Sequence, residues 1–163
     1  MFDKFGEFDS WDEINRTAAG LKAEGDLDSI VELAKENGID VEDAEDYIAG
    51  DIQELCTSLT AAFGKLQLED DDLRSQDIMN DWFKYIMTLV AGDEKMAVAV
   101  RRKGKSLKGC IGALLKWSFE HQRDVDKDII KAAGVSASRI TLGIPGMAMA
   151  HKIIKEYYLG GAK

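Results

Sequence analysis

Proline occurs once in the 163 residues, and cysteine and histidine twice each. A single proline argues against a loop-rich all-β fold, whose turns and edge strands use it freely. Cys56 and Cys110 are too few for a disulfide framework and too far apart for a zinc knuckle. His121 and His151 have no cysteine or carboxylate at metal-ligand spacing, so no metal is expected. Neither G-x-S-x-G nor H-E-x-x-H occurs, and no Cys–His pairing is visible. Nothing in the residues points to an enzyme or to a cofactor. No run approaches the roughly 18 apolar residues of a membrane helix. The opening MFDKFGEFD lacks the basic start and apolar core of a secretion signal. The setting expected is a reduced cytoplasm, with no membrane partner.

What the chain has in quantity is charge, unevenly divided. Residues 1–80 hold 22 acids and 6 bases, a net −16, while residues 81–163 hold 8 acids and 15 bases, a net +7. Two readings follow. The halves present two surfaces to different partners, or they attract each other within one fold. At 45% hydrophobic, the chain can bury a core of one domain, or of one domain with a small module.

Hydrophobic spacing reads as helix throughout. Ser10-x-x-Glu13 is a capping box opening a helix to Glu24, ended by Gly25. Asp26 starts the next, with Leu27, Ile30, Val31 and Ala34 on one face and Gly38 at its end. Asp40 caps a third, which Gly50 closes. A longer helix is expected from Asp51 to Leu66, with Cys56 on its core face. Glu69, Asp70, Asp71 and Asp72 then read as a solvated acidic linker. Asp70 and Asp72 have the spacing of a calcium loop, but residue 75 is serine rather than glycine and further ligands are lacking. Ser75 begins a fifth helix and Asp93 caps a sixth. Others run from Ser106 to His121, from Asp126 to Ala133, and from Pro145 to the Gly160-Gly161 pair. No strand pair is evident. The expectation is an all-α helical bundle, with an acidic N-terminal module over 1–68 and a basic C-terminal domain over 75–163.

Within the second half, AVRRKGKSLKGCIGALLKW ends a phosphate-loop pattern at Gly104-Lys105-Ser106. The pattern requires glycine at residue 99, which is alanine, and a preceding strand where the spacing reads helix. Nucleotide binding is therefore not expected. What remains is a dense cationic segment of Arg101, Arg102, Lys103, Lys105 and Lys108, with Gly104 and Gly109 allowing close approach. It reads as a grip for phosphate or an acidic surface, or as a basic rim docked on the acidic half. Downstream, DIIKAAGVSASRITL has the outline of a helix-turn-helix about Gly134, with Arg139 as its one strong base reader. Plain helix packing is the other reading.

Lys105, Ser106, Leu107, Gly109 and Cys110, then Gly146, Met147 and Ala148, then Tyr157 and Tyr158, carry a resemblance over residues 95–160. The sequence there resembles the PcfK-like proteins of conjugative and other mobile elements, a group that includes inhibitors of type II CRISPR effector nucleases. The resemblance implies an anti-CRISPR binding protein. Its partner would be the effector or its guide RNA complex, reached through the basic segment or through Glu69–Asp72 acting as a DNA mimic. A second copy of the chain is a further candidate partner. The alternative function is a DNA-binding accessory protein of plasmid transfer.

Overall fold

A computed structural model describes residues 3–160. The chain is all-α apart from one two-residue strand pair. In order it forms α1 (Trp11–Glu24), α2 (Leu27–Glu36), α3 (Val41–Ala49), α4 (Ser58–Leu73), α5 (Ile78–Gly92), α6 (Glu94–Arg101), α7 (Leu107–Glu120), β1 (Arg123–Asp124), α8 (Lys127–Ala132), β2 (Thr141–Leu142) and α9 (Met147–Leu159).

The first three helices start and stop where the sequence punctuates them. Ser10, Asp26 and Asp40 each accept a backbone N–H of the first helical turn. Gly25 and Gly50 close α1 and α3 in the left-handed conformation. The expected capping box at Ser10 is half made, because the Glu13 carboxylate accepts the N–H of Asp9.

The fourth helix differs from expectation at both ends. Residues 51–56 are not helical. Thr57 and Thr60 instead form a reciprocal capping box that starts α4 at Ser58. Leu55 and Cys56 are still buried. They are held because the Asn15 amide donates to the Cys56 carbonyl at 2.8 Å and accepts its N–H at 3.0 Å. At the other end, Glu69–Asp72 is not a linker: it forms the last turns of α4, which Arg74 closes at φ 53°. Carboxylates at a helix C-terminus oppose the macrodipole, so this extension needs compensation from outside the helix.

α4 is the wall common to two hydrophobic clusters. Ala61 joins Ile14, Ile30, Leu33 and Tyr47 of the α1–α3 layer. Ala62 and Leu66 join Trp82, Ile86, Met96, Leu107, Leu114 and Ile154 of the α5–α9 layer. The approach of α2 to α4 is closest at two glycines. A Cβ at Gly64 would overlap the Asn37 carbonyl oxygen and lie 2.6 Å from that of Gly38, whose own φ of +67° also favours glycine.

The helix-turn-helix expected near Gly134 does not form. α8 and the left-handed Gly134 (φ 65°) are as read. Residues 135–140 are not helical, however, and lead into β2, which pairs antiparallel with β1. Arg139 donates to Asp124 at 2.7 Å within this unit. No second helix exists there to enter a DNA groove. Pro145 stands just outside α9, whose N-cap is Gly146, rather than in its first turn. Among the described residues no helix is long and apolar enough to cross a membrane.

Gly64→Ala should destabilise the protein by about 1–3 kcal/mol, the usual range for overpacking. Gly20→Ala, in the interior of α1 with nothing within 4 Å of the added carbon, should stabilise it by about 0.5–1 kcal/mol. Urea unfolding of both variants checks the pair.

Candidate functional site

The cationic segment and the acidic run meet across the junction of α4 with the α6–α7 turn. The Lys108 ammonium lies 2.6 Å from the Asp72 carboxylate, and both side chains are exposed. That contact holds the Asp72 carboxyl below its ordinary range. Glu69 accepts the N–H of Leu107 at 2.7 Å, so it supplies an acceptor to the open N-terminus of α7. The macrodipole penalty on the end of α4 is thereby offset by the favourable start of α7. Asp71 accepts the Gln67 amide at 3.0 Å, and Asp70 is half-buried.

At the centre of the junction is Lys65 of α4, 1% exposed. Its ammonium has three protons to donate. They go to Glu7 at 2.9 Å, to the carbonyl of Arg102 at 3.2 Å and to the carbonyl of Lys105 at 2.5 Å. Glu69 stands 3.9 Å away. Burial pushes the Glu69 carboxyl above its ordinary value, with the Leu107 N–H and Lys65 opposing.

Of the five cations in the expected grip, three have structural partners. Arg101 is fully buried and donates to the Asn37 side chain at 2.7 Å. Burial draws its guanidinium below the ordinary value, with Glu7 and Glu69 acting against that shift. Lys105 donates to the Tyr157 carbonyl at the end of α9, and its ammonium lies 4.9 Å from the Tyr157 ring centroid. Lys108 is held by Asp72. Arg102 and Lys103 are exposed and form no ion pair among the described residues; the backbone N–H of Lys103 donates to Asp9 at 3.0 Å. Gly109 gives room not to another backbone but to the Tyr157 hydroxyl, which accepts the N–H of Ser106 at 3.0 Å. Of these contacts, Lys108 on Asp72 joins opposite charges of the two halves.

A different acidic surface is left open. Residues 40–54 hold Asp40, Glu42, Asp43, Glu45, Asp46, Asp51 and Glu54 and no base. All but the half-buried Asp43 are exposed, and no ion pair among the described residues joins any of the seven. The inward side of α3 is set by Ala44 and Tyr47. Glu42, Glu45 and Asp46 therefore share the outward side at spacings of three and four. Asp40 caps this nine-residue helix and Glu42 and Asp43 suit its first turn, while Glu45 and Asp46 lie beyond that turn with no base in the last turn. The base-free run was countable in the sequence, but the four consecutive acids at 69–72 drew the reading instead.

Among the described residues no cluster of three or more His, Cys, Asp or Glu could hold a metal ion. Both thiols are buried, which pushes Cys56 and Cys110 up to about 12 and leaves them unreactive. No protein family, no curated protein and no solved structure matches the chain.

Lys65→Met should destabilise the protein by about 3 kcal/mol, because it leaves Glu7 and two carbonyls unpaired in a buried junction. Chemical denaturation measures the loss. Glu69→Gln keeps the acceptor for Leu107 but removes the titration. A raised folded-state pKa means that the native protein holds this proton more tightly than the unfolded chain. Stability from Glu69 is therefore present below its ordinary value of 4.5 and is lost as pH rises through the folded-state value. The melting temperature of Glu69→Gln relative to wild type should accordingly rise between about pH 4 and pH 7. Parallel thermal melts across that range test the sign.

Proposed function

We propose that this protein is a non-enzymatic inhibitor whose carboxylate-rich α3 surface occupies the nucleic-acid channel of a type II CRISPR effector nuclease and so blocks cleavage of target DNA. The observation that carries the reading is the base-free run from Asp40 to Glu54. Six of its seven acids are exposed, and none of the seven forms an ion pair among the described residues. Effectors of this class hold their guide–target duplex in a positively charged channel and read a short flanking motif through an arginine pair. Closely spaced carboxylates on a rigid helix offer such a channel the charge pattern of a phosphate backbone. The resemblance of residues 95–160 to PcfK-like proteins supports the choice of nuclease.

The location of the contact changes from the sequence reading. Glu69, Asp72 and Lys108 serve the α4–α7 junction, Arg101 and Lys105 are engaged by Asn37 and the end of α9, and α3 takes over as the decoy surface. The accessory DNA-binding reading drew on a helix-turn-helix-like unit and the basic segment; of the former only the first helix forms, and of the latter Arg102, Lys103 and Lys108 are exposed.

The test is an in vitro cleavage assay with guide-loaded effector, with and without the protein. Replacing Glu42, Glu45, Asp46, Asp51 and Glu54 by their amides should leave the helical circular dichroism unchanged, since no apolar contact is touched. Inhibition should weaken by about tenfold or more, and the loss should be largest at low salt, where charge attraction is least screened. Full inhibition by this variant would overturn the reading, as would direct binding of duplex DNA by the protein alone.

A further inference from the structure

The side of α7 turned from the core carries an unusual stripe. Leu107, Cys110 and Leu114 are fully buried. Lys108, Gly112, Leu115 and Phe119 follow at steps of four, three and four along the opposite side, the spacing of a helix–helix seam. Leu115 is 66% exposed and Phe119 is 80% exposed. Gly112 is exposed, and a Cβ built there would meet nothing within 4 Å. Glycine is a poor residue for the interior of a helix, and no neighbour within the chain requires it.

We infer that this stripe is a self-association face, on which two copies of the chain pack α7 against α7, antiparallel, about a two-fold axis between Gly112 and Leu115. A two-fold contact requires a surface complementary to its own inverse. This one is. Antiparallel alignment sets the partner's Leu115 over Gly112, a knob entering the gap left by the missing side chain, and symmetry repeats the contact. The same alignment brings Lys108 to the partner's Phe119 and within one position of the partner's Glu120, so the ammonium meets an aromatic face and a carboxylate. Both charges stand in exposed pairs, Lys108 with Asp72 at 2.6 Å and Glu120 with Lys116 at 4.0 Å, so each can be shared across the seam. A cation at one end, an aromatic–acid pair at the other, and gap and knob about the midpoint select a second copy over an unrelated occupant. A single 14-residue helix buries less than a standard interface, so the dimer is weak, with dissociation in the micromolar range.

Sedimentation equilibrium over about 1–300 µM, a span that brackets such an affinity, should show the mass rising from 18.0 kDa toward twice that value. Gly112→Gln should weaken the dimer by about tenfold or more without lowering the melting temperature, since it improves the helix while filling the gap. Glu120→Lys and Lys108→Glu should each weaken it, and the double swap should restore it. Glu120→Lys lies on an exposed side chain and leaves the fold intact, so its result stands even if Gly112→Gln is disturbed. A protein monomeric across the whole range would overturn the inference and leave the face to another partner. So would a dimer indifferent to Gly112→Gln and Glu120→Lys.

Discussion

An ammonium group gives up several kcal/mol of hydration when it is buried, and recovers this only if every proton finds an acceptor. Lys65 meets that demand with one carboxylate and two backbone carbonyls drawn from distant parts of the chain. Glu7 belongs to the segment before α1, and the carbonyls belong to the turn between α6 and α7. Each acceptor must be in place for the other two to be worth making. The two helical layers are thus registered to each other by a polar contact, while the apolar residues of α4 provide the bulk of the burial on either side. A hydrophobic residue at 65 could fill the volume but could not specify where the α6–α7 turn sits.

Seen from this junction, the charge division has two roles. Close to α4, opposite charges are used up locally, with Asp72 on Lys108, Glu69 on the start of α7, and Lys105 on the end of α9. On α3 and the loop after it, the acids form no ion pair among the described residues. There Asp40, Glu42 and Asp43 suit the start of the helix, and the acids beyond have neither a dipole nor a cation in their favour.

Helix starts and stops were largely legible in the sequence, because Ser10, Asp26, Asp40, Asp93, Ser106 and Asp126 signal their own caps through short-range hydrogen bonds. The errors lie where a distant partner decides. Residues 51–56 have a plausible helical stripe, but Asn15, forty-one positions from Cys56 in sequence, holds them in another path. Glu69–Asp72 looks like a linker until the Leu107 N–H is seen to donate to Glu69 and Lys108 to pair with Asp72. Arg101 reads as a surface cation because nothing local reveals that Asn37 waits for it inside. The candidate acidic surface was the most visible feature and the most easily passed over, since it needs a count of missing bases rather than a motif.

The segment from β1 through α8 to β2 has a separate consequence. Between residues 121 and 142 only Ile130 is buried, and the strand pair is two residues long. Local opening there gives up little apolar contact, so its amides will exchange with solvent well before those of α4 or α6. The same property makes residues 131–139, all exposed, the first place a protease will cut and the safest place to insert a fluorophore or an affinity peptide. The molecule can therefore be labelled or tethered without disturbing the junction around Lys65.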